Sequence, residues 1–195
     1  MPVSEHPMQA LSSFLPEGSF EEVVAYIKQY RVHLTITRKR KSVLGDYRHA
    51  FAGKNHRITV NGDLNPYEFL ITLLHELAHL LTFEQYRHRV EAHGKEWKTC
   101  YAKLLLHFIQ LGVFPEDIEQ ALHNSVMNPA ATANGETDLL LVLRKYNQQQ
   151  KVGYAHVADI AEGHLFQMDN GRVFRRGKLR RKRYECVEVA TGLRY

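Results

Sequence analysis

The sequence predicts an α+β protein. A helical core carrying a small three-stranded antiparallel sheet is expected over residues 1–127. A linker follows over 128–137, then a small, basic, β-ribbon-like module over 138–195. Three observations predict this. Residues 66–83 are apolar around almost the whole circumference of a helix, so that helix is buried. A run rich in β-branched residues at 32–37, a weaker candidate at 42–51 and a short run at 57–60 precede it and read as strands. A small polar stretch at 128–135 reads as a linker, and beyond Gln148-Gln149-Gln150 the pattern changes from helices to strands.

Taken in order, Ser19-Phe20-Glu21-Glu22 has the form of a capping box and opens a helix to about Tyr30. The three strand-like runs come next, with Gly53-Lys54-Asn55 as a turn and Asn61-Gly62-Asp63 as a stop. Asn65-Pro66-Tyr67-Glu68 is a strong start for the buried helix: Asn caps, Pro takes the first helical position, and Glu returns to the cap. A polar stretch over 84–91 leads to a second long helix from about His93-Gly94 to Leu111. Pro115 starts a third, to about Ser125, and 138–146 forms a short fourth. In the tail, Asp169-Asn170-Gly171 between 164–168 and 172–175 signals a hairpin with a two-residue turn. Residues 179–189 read as a further strand.

At 195 residues, 44% hydrophobic and 24% charged, the chain can bury one ordinary core with a small appendage. No basic leader with an apolar stretch behind it opens the sequence, and no run of apolar residues is long enough for a membrane span. The two cysteines, Cys100 and Cys186, are too few for a disulfide framework or a four-cysteine zinc module, so a reducing cytoplasm is expected. Both read as ordinary core or half-buried residues. The formal net charge is +5. Its distribution carries the information: Arg38-Lys39-Arg40-Lys41 is one run. In a second cluster Arg172, Arg175, Arg176, Lys178, Arg180, Arg181, Lys182 and Arg183 fill eight of twelve positions. Such clustering suits a polyanion, with nucleic acid the preferred partner.

The chemistry lies on the buried helix. Thr72, His75, Glu76 and His79 fall at i, i+3, i+4 and i+7, one polar stripe on an otherwise apolar rod. Two imidazoles and a carboxylate are costly to bury without partners, and a metal ion resolves that cost. Two histidines one turn apart can reach a single zinc ion at about 2.0–2.1 Å. Glu76, beside them, suits a base that takes a proton from water. A catalytic zinc needs a third protein ligand. Spacing for the metzincin pattern is absent, since Thr82 and Gln85 stand where Gly and His are required. His93 is the preferred third ligand, because Gly94 lets the backbone come close there; His88, Glu91 and Glu96 are its rivals.

His75-Glu76-Leu77-Ala78-His79 followed by His93-Gly94-Lys95-Glu96-Trp97 resembles the SprT-like (Spartan-type) zinc metalloprotease family, over about residues 19–112. The resemblance implies a zincin-like helical metalloprotease core with His75, His79 and His93 as ligands of one zinc ion per chain and Glu76 as general base. It also implies a protein substrate that is bound or cross-linked to DNA. Many members continue into a four-cysteine zinc ribbon. Here the corresponding tail keeps only Cys186, so a metal-free ribbon held by aromatic packing is expected. The tail's basic residues would hold phosphates of single-stranded or nonspecific DNA, with Phe174 and Tyr184 either stacking on bases or forming the small core. A strand near 56–61 is expected to offer an edge to an extended substrate. His88, Tyr86, Arg87, Arg89 and Tyr101 are chemically able to stabilise an oxyanion, and the sequence does not choose among them. A monomer is expected. Two other classes stay open: a DNA-binding protein with an idle zinc site, and a zinc hydrolase of another amide.

Overall fold

The computed structural model describes residues 8–40, 42–127, 137–147, 155–181 and 183–195. The linker expected at 128–137 lies, apart from Thr137, outside the described residues, as do Lys41 and Lys182. The chain divides into two compact units, 1–148 and 149–195.

The first unit opens with a short 3-10 helix, Gln9–Phe14, and helix α1, Phe20–Gln29. Ser19 stands at the N-cap of α1, but the expected capping box does not form. Its hydroxyl donates to the Pro16 carbonyl at 2.8 Å instead of accepting from the helix. Strands β1 (His33–Thr37), β2 (Gly45–Arg48) and β3 (Arg57–Asn61) make one sheet in the order β1-β3-β2. The sheet is mixed rather than antiparallel: β1 runs parallel to β3, and β2 antiparallel to it. Burial explains the order. Ile58 and Val60 are fully enclosed, so β3 takes the middle and the more exposed β1 and β2 take the edges. The chain therefore has to cross from one edge to the other through residues 38–44 before β3 enters between them.

Helix α2, Pro66–Tyr86, is the axis of this unit, with its residues buried from Phe69 through most of the next four turns. Asn65 caps it, accepting from the Glu68 amide at 3.0 Å, with Pro66 in the first turn. Helix α3, Lys95–Gln110, packs on α2 through Trp97, Tyr101, Leu104, Leu105 and Phe108. Helix α4 spans Glu116–Met127.

The sequence reading assigned the short helix α5, Thr137–Arg144, to the tail, but α5 belongs to this unit. Leu139 and Leu143 enter the core, and the Asn65 amide donates to the Leu143 carbonyl at 2.9 Å. Its apolar face needs that surface, and the small tail sheet has little core to offer it.

The second unit is a three-stranded antiparallel sheet of β4 (Leu165–Gln167), β5 (Val173–Arg180) and β6 (Arg183–Glu188). The expected hairpin is present with a longer turn. Met168 N–H donates to the Arg172 carbonyl at 2.9 Å across three residues, and Gly171 adopts φ +82°. The final strand begins at Arg183 rather than 179, because Arg181 reverses the chain with φ +54° and β5 extends to Arg180. Phe166, Phe174 and Tyr195 form its aromatic cluster, with ring centroids 5.7 and 5.5 Å apart. Among the described residues no helix is long and apolar enough to cross a membrane.

Candidate metal centre and basic face

Three histidines converge where α2 meets the start of α3. One ring nitrogen from each of His75, His79 and His93 lies within 4.8 Å of the other two, and the Nε2 atoms of His75 and His93 are 3.3 Å apart. Two nitrogens about 2.0–2.1 Å from a tetrahedral ion stand about 3.4 Å from each other, so the spacing fits zinc ligands. His93 reaches the site because α2 ends at Arg87 (φ +55°) and the chain doubles back to Gly94, the N-cap of α3. His88, the main rival, stays outside and meets His49 and Phe83 instead, at ring distances of 4.9 and 5.2 Å.

Trp97 is fully buried and forms the floor, 4.7 Å from the rings of His75 and His93 and 5.3 Å from His79. Tyr101 stacks behind it at 5.0 Å. Tyr47 of β2 lies parallel to the His79 ring at 6.4 Å, and its hydroxyl meets Nδ1 of His56 at 2.9 Å. That Nδ1 also accepts from the Ala50 amide at 3.3 Å, so Tyr47 is the donor and the proton of His56 sits on Nε2, facing Glu84 at 3.3 Å. Burial holds His56 below the ordinary imidazole range, against the pull of Glu84, and raises Tyr47.

The electrostatics favour neutral ligands. Burial first, then the neighbouring imidazoles, push His75 down to about 3; burial and His93 push His79 down to about 4; burial lowers His93. All three therefore carry a free lone pair at neutral pH. Glu76 moves the other way. Burial raises it to about 8, Asp46 adds to the rise, and Arg40 opposes it. A carboxyl poised near neutrality can both take and give a proton.

Three features of the site have no motif to announce them. Gly45 approaches Glu76 so closely that a Cβ there would stand 2.6 Å from Oε1. Tyr47 is read from sequence only as part of a weak strand. Arg40 belongs to a basic run that reads in sequence as a polyanion contact, yet its guanidinium binds Asn61 Oδ1 at 2.7 Å, Thr59 Oγ1 at 3.0 Å and the Leu44 carbonyl at 3.2 Å. Lys39 of the same run pairs with Asp63 at 3.1 Å. The strand expected to offer an edge is also displaced: β3 is paired on both sides, and the open edge near Glu76 is that of β2.

In the second unit the basic cluster separates into two kinds of residue. Arg172 forms a fork on Glu188, at 2.6 and 2.9 Å, bonds the Tyr195 hydroxyl, and lies over the rings of Phe174 and Tyr195. Arg176 lies 4.1 Å over the Tyr184 ring, and Arg180 pairs with Glu185 at 3.0 Å. Arg175, Lys178, Arg181 and Arg183 are exposed and make no ion pair among the described residues. Tyr184 is thus covered on one face by Arg176, and Phe174 is core.

Comparison with known proteins gives one family. The model of the SprT-like family matches residues 11–112. No curated protein and no solved structure matches the chain.

Proposed function

The chain belongs to the SprT-like family, and from that premise we propose that it is a zinc-dependent peptidase acting on proteins bound or cross-linked to DNA. The convergence of three neutral imidazoles beside a buried carboxyl carries the reading. His75, His79 and His93 would hold one zinc ion per chain. That ion supplies Lewis acidity, making a water more acidic and polarising a carbonyl.

Glu76 then works as the proton carrier. Its carboxylate takes a proton from the attacking water, and the resulting carboxyl returns it to the amide nitrogen as the C–N bond breaks. Trp97 and Tyr101 keep the far side of the imidazoles dry, which holds the ligands in place and strengthens local electrostatics. An extended substrate pairing with the open edge of β2 would lie beside Glu76; the position of Gly45 supports this. In the tail, Arg175, Lys178, Arg181 and Arg183 are the exposed cations that would meet phosphates of single-stranded or nonspecific DNA, while Arg172 serves the fold.

Replacement Glu76→Gln separates this reading from a DNA-binding protein with an idle metal. The variant should keep one zinc per chain and lose cleavage of a protein attached to single-stranded DNA by about a hundredfold or more. Undiminished cleavage by that variant would remove Glu76 from the mechanism.

A further inference from the structure

The carboxylate of Glu76 must sit at one place to move a proton usefully, and its own helix does not fix it. The atoms that confine it come from the segment leading into β2. A Cβ built on Gly45 would stand 2.6 Å from Glu76 Oε1, 2.8 Å from Glu76 Cγ and 2.9 Å from Thr72 Cγ2. All three approaches are far inside van der Waals contact. Thr72 and Glu76 occupy successive turns of one face of α2, so a side chain at residue 45 has nowhere to go between them.

Gly45 is also held firmly. Asn61, almost fully buried at the end of β3, donates its backbone N–H to the Leu44 carbonyl at 2.9 Å. The Arg40 guanidinium donates to the same carbonyl at 3.2 Å. Side-chain bonds tie the two partners together: Arg40 Nε to Asn61 Oδ1 at 2.7 Å, and Asn61 Nδ2 to the Arg40 and Val43 carbonyls at 3.3 and 3.0 Å. Thr37 of β1 closes the set, donating to Asn61 Oδ1 at 3.1 Å. The residue immediately before Gly45 is therefore pinned by two donors that are pinned to each other. A wall fixed in this way cannot retreat from an added methyl, and the carboxylate must move instead.

We propose that Gly45 is a positioning residue for Glu76, held against its carboxylate by the Arg40–Asn61 clamp. The inference rests on the reading of Glu76 as the proton carrier. A side chain at residue 45 would project from the face of β2 toward α2, whereas a substrate strand would meet the backbone edge, so an added methyl lowers kcat and leaves KM and zinc affinity nearly unchanged.

The test uses the zinc-loaded full chain and an unstructured polypeptide coupled to a single-stranded oligonucleotide. Gly45→Ala should lower kcat about a hundredfold, with KM and the zinc dissociation constant within about threefold of the parent. A crystal structure of that variant should show the Glu76 carboxylate displaced by roughly 1 Å, with the three histidines unmoved. Arg40→Lys keeps the charge and removes the fork. It should lower kcat about tenfold and serves where Gly45→Ala does not fold. In a Glu76→Ala background, which has neither the Cγ nor the Oε1 that residue 45 would meet, adding Gly45→Ala should change the residual kcat less than about threefold. Parental kcat in Gly45→Ala or Arg40→Lys, or an unmoved Glu76, overturns the clamp. If Glu76→Gln itself cleaves normally, the peptidase reading falls first and takes the clamp with it.

Discussion

Asn65 does two jobs, and removing it should cost more than a helix cap. Its Oδ1 accepts from the Glu68 amide at 3.0 Å and so caps α2. Its amide donates to the Leu143 carbonyl at 2.9 Å and to Asn147 Oδ1 at 2.8 Å, which anchors α5 to the start of α2. Asn65→Ala loses the cap, worth about 1 kcal/mol. It also removes the two bonds of the amide, to Asn147 and to a Leu143 carbonyl that keeps the Tyr146 amide at 3.1 Å, a further cost of about 1–3 kcal/mol for the pair. The sum is about 2–4 kcal/mol, a fall in Tm of roughly 5–15 °C for a chain of this size. Asn65→Asp divides the two jobs. It keeps an acceptor for Glu68, improved by the helix dipole, but turns a carboxylate toward the Leu143 carbonyl and Asn147. Urea unfolding of both variants, with unchanged m-values, measures the terms. Asn65→Ala within about 0.5 kcal/mol of the parent refutes the account. Asn65→Asp at full parental stability refutes the anchoring of α5 through this residue.

Removing the metal should also be visible in stability. Zinc at a hundred times its dissociation constant adds about 2.7 kcal/mol to the folded state. A chelator should therefore lower the parental Tm by roughly 5–10 °C and leave His93→Ala unaffected; an unchanged parental Tm denies a bound ion. Neutralising Arg175, Lys178, Arg181 and Arg183 together should flatten the slope of log affinity against log salt for single-stranded DNA by about 3. Arg172→Ala should instead disturb the tail sheet, seen as lost NMR amide dispersion; if the four-site variant binds with the parental slope, the exposed cations are not the contact. Arg172 and hydrogen bonds from Thr191 hold Glu188 down to about 2. A depressed carboxyl stabilises above its ordinary value of 4.5 and loses that contribution as pH falls toward about 2. Tail dispersion should fade across that window in the parent, whereas Glu188→Gln should be weakened already at neutral pH and show no such acid step.

The elements that the sequence declares most clearly are those whose burial is nearly complete. Helix α2 shows its apolar circumference, its Asn65-Pro66 start and its polar stripe in residue types alone. Strand β3 likewise shows Ile58 and Val60, but residue types say nothing about strand direction, and the sheet's parallel pair escaped for that reason. The loop 38–44 that makes the crossover carries basic residues, which look alike whether solvated or folded inward. Arg40 is held by three acceptors and Lys39 by one carboxylate. The tail repeats the ambiguity. Arg172 is a structural ion pair while Arg175, three residues on along the same hairpin, is exposed and unpaired. Charge density in sequence counts both equally.

The metal centre divides in the same way, and the division has a physical cause. Metal-ligating and proton-carrying groups must be of particular chemical types at helical spacing, so His75, Glu76 and His79 leave a pattern on α2. Residue 93 is distant in sequence but constrained by its neighbour Gly94, and it too leaves a trace. What confines the carboxylate is an absence: residue 45 acts by having no side chain, and its firmness comes from a buried Asn61 placed elsewhere. An absence has no motif, and a glycine after a basic loop reads as a turn. Its meaning emerges only when β2 is seen against the same turn of α2 that carries Glu76, where one added methyl group and the Glu76 carboxylate would compete for a single position.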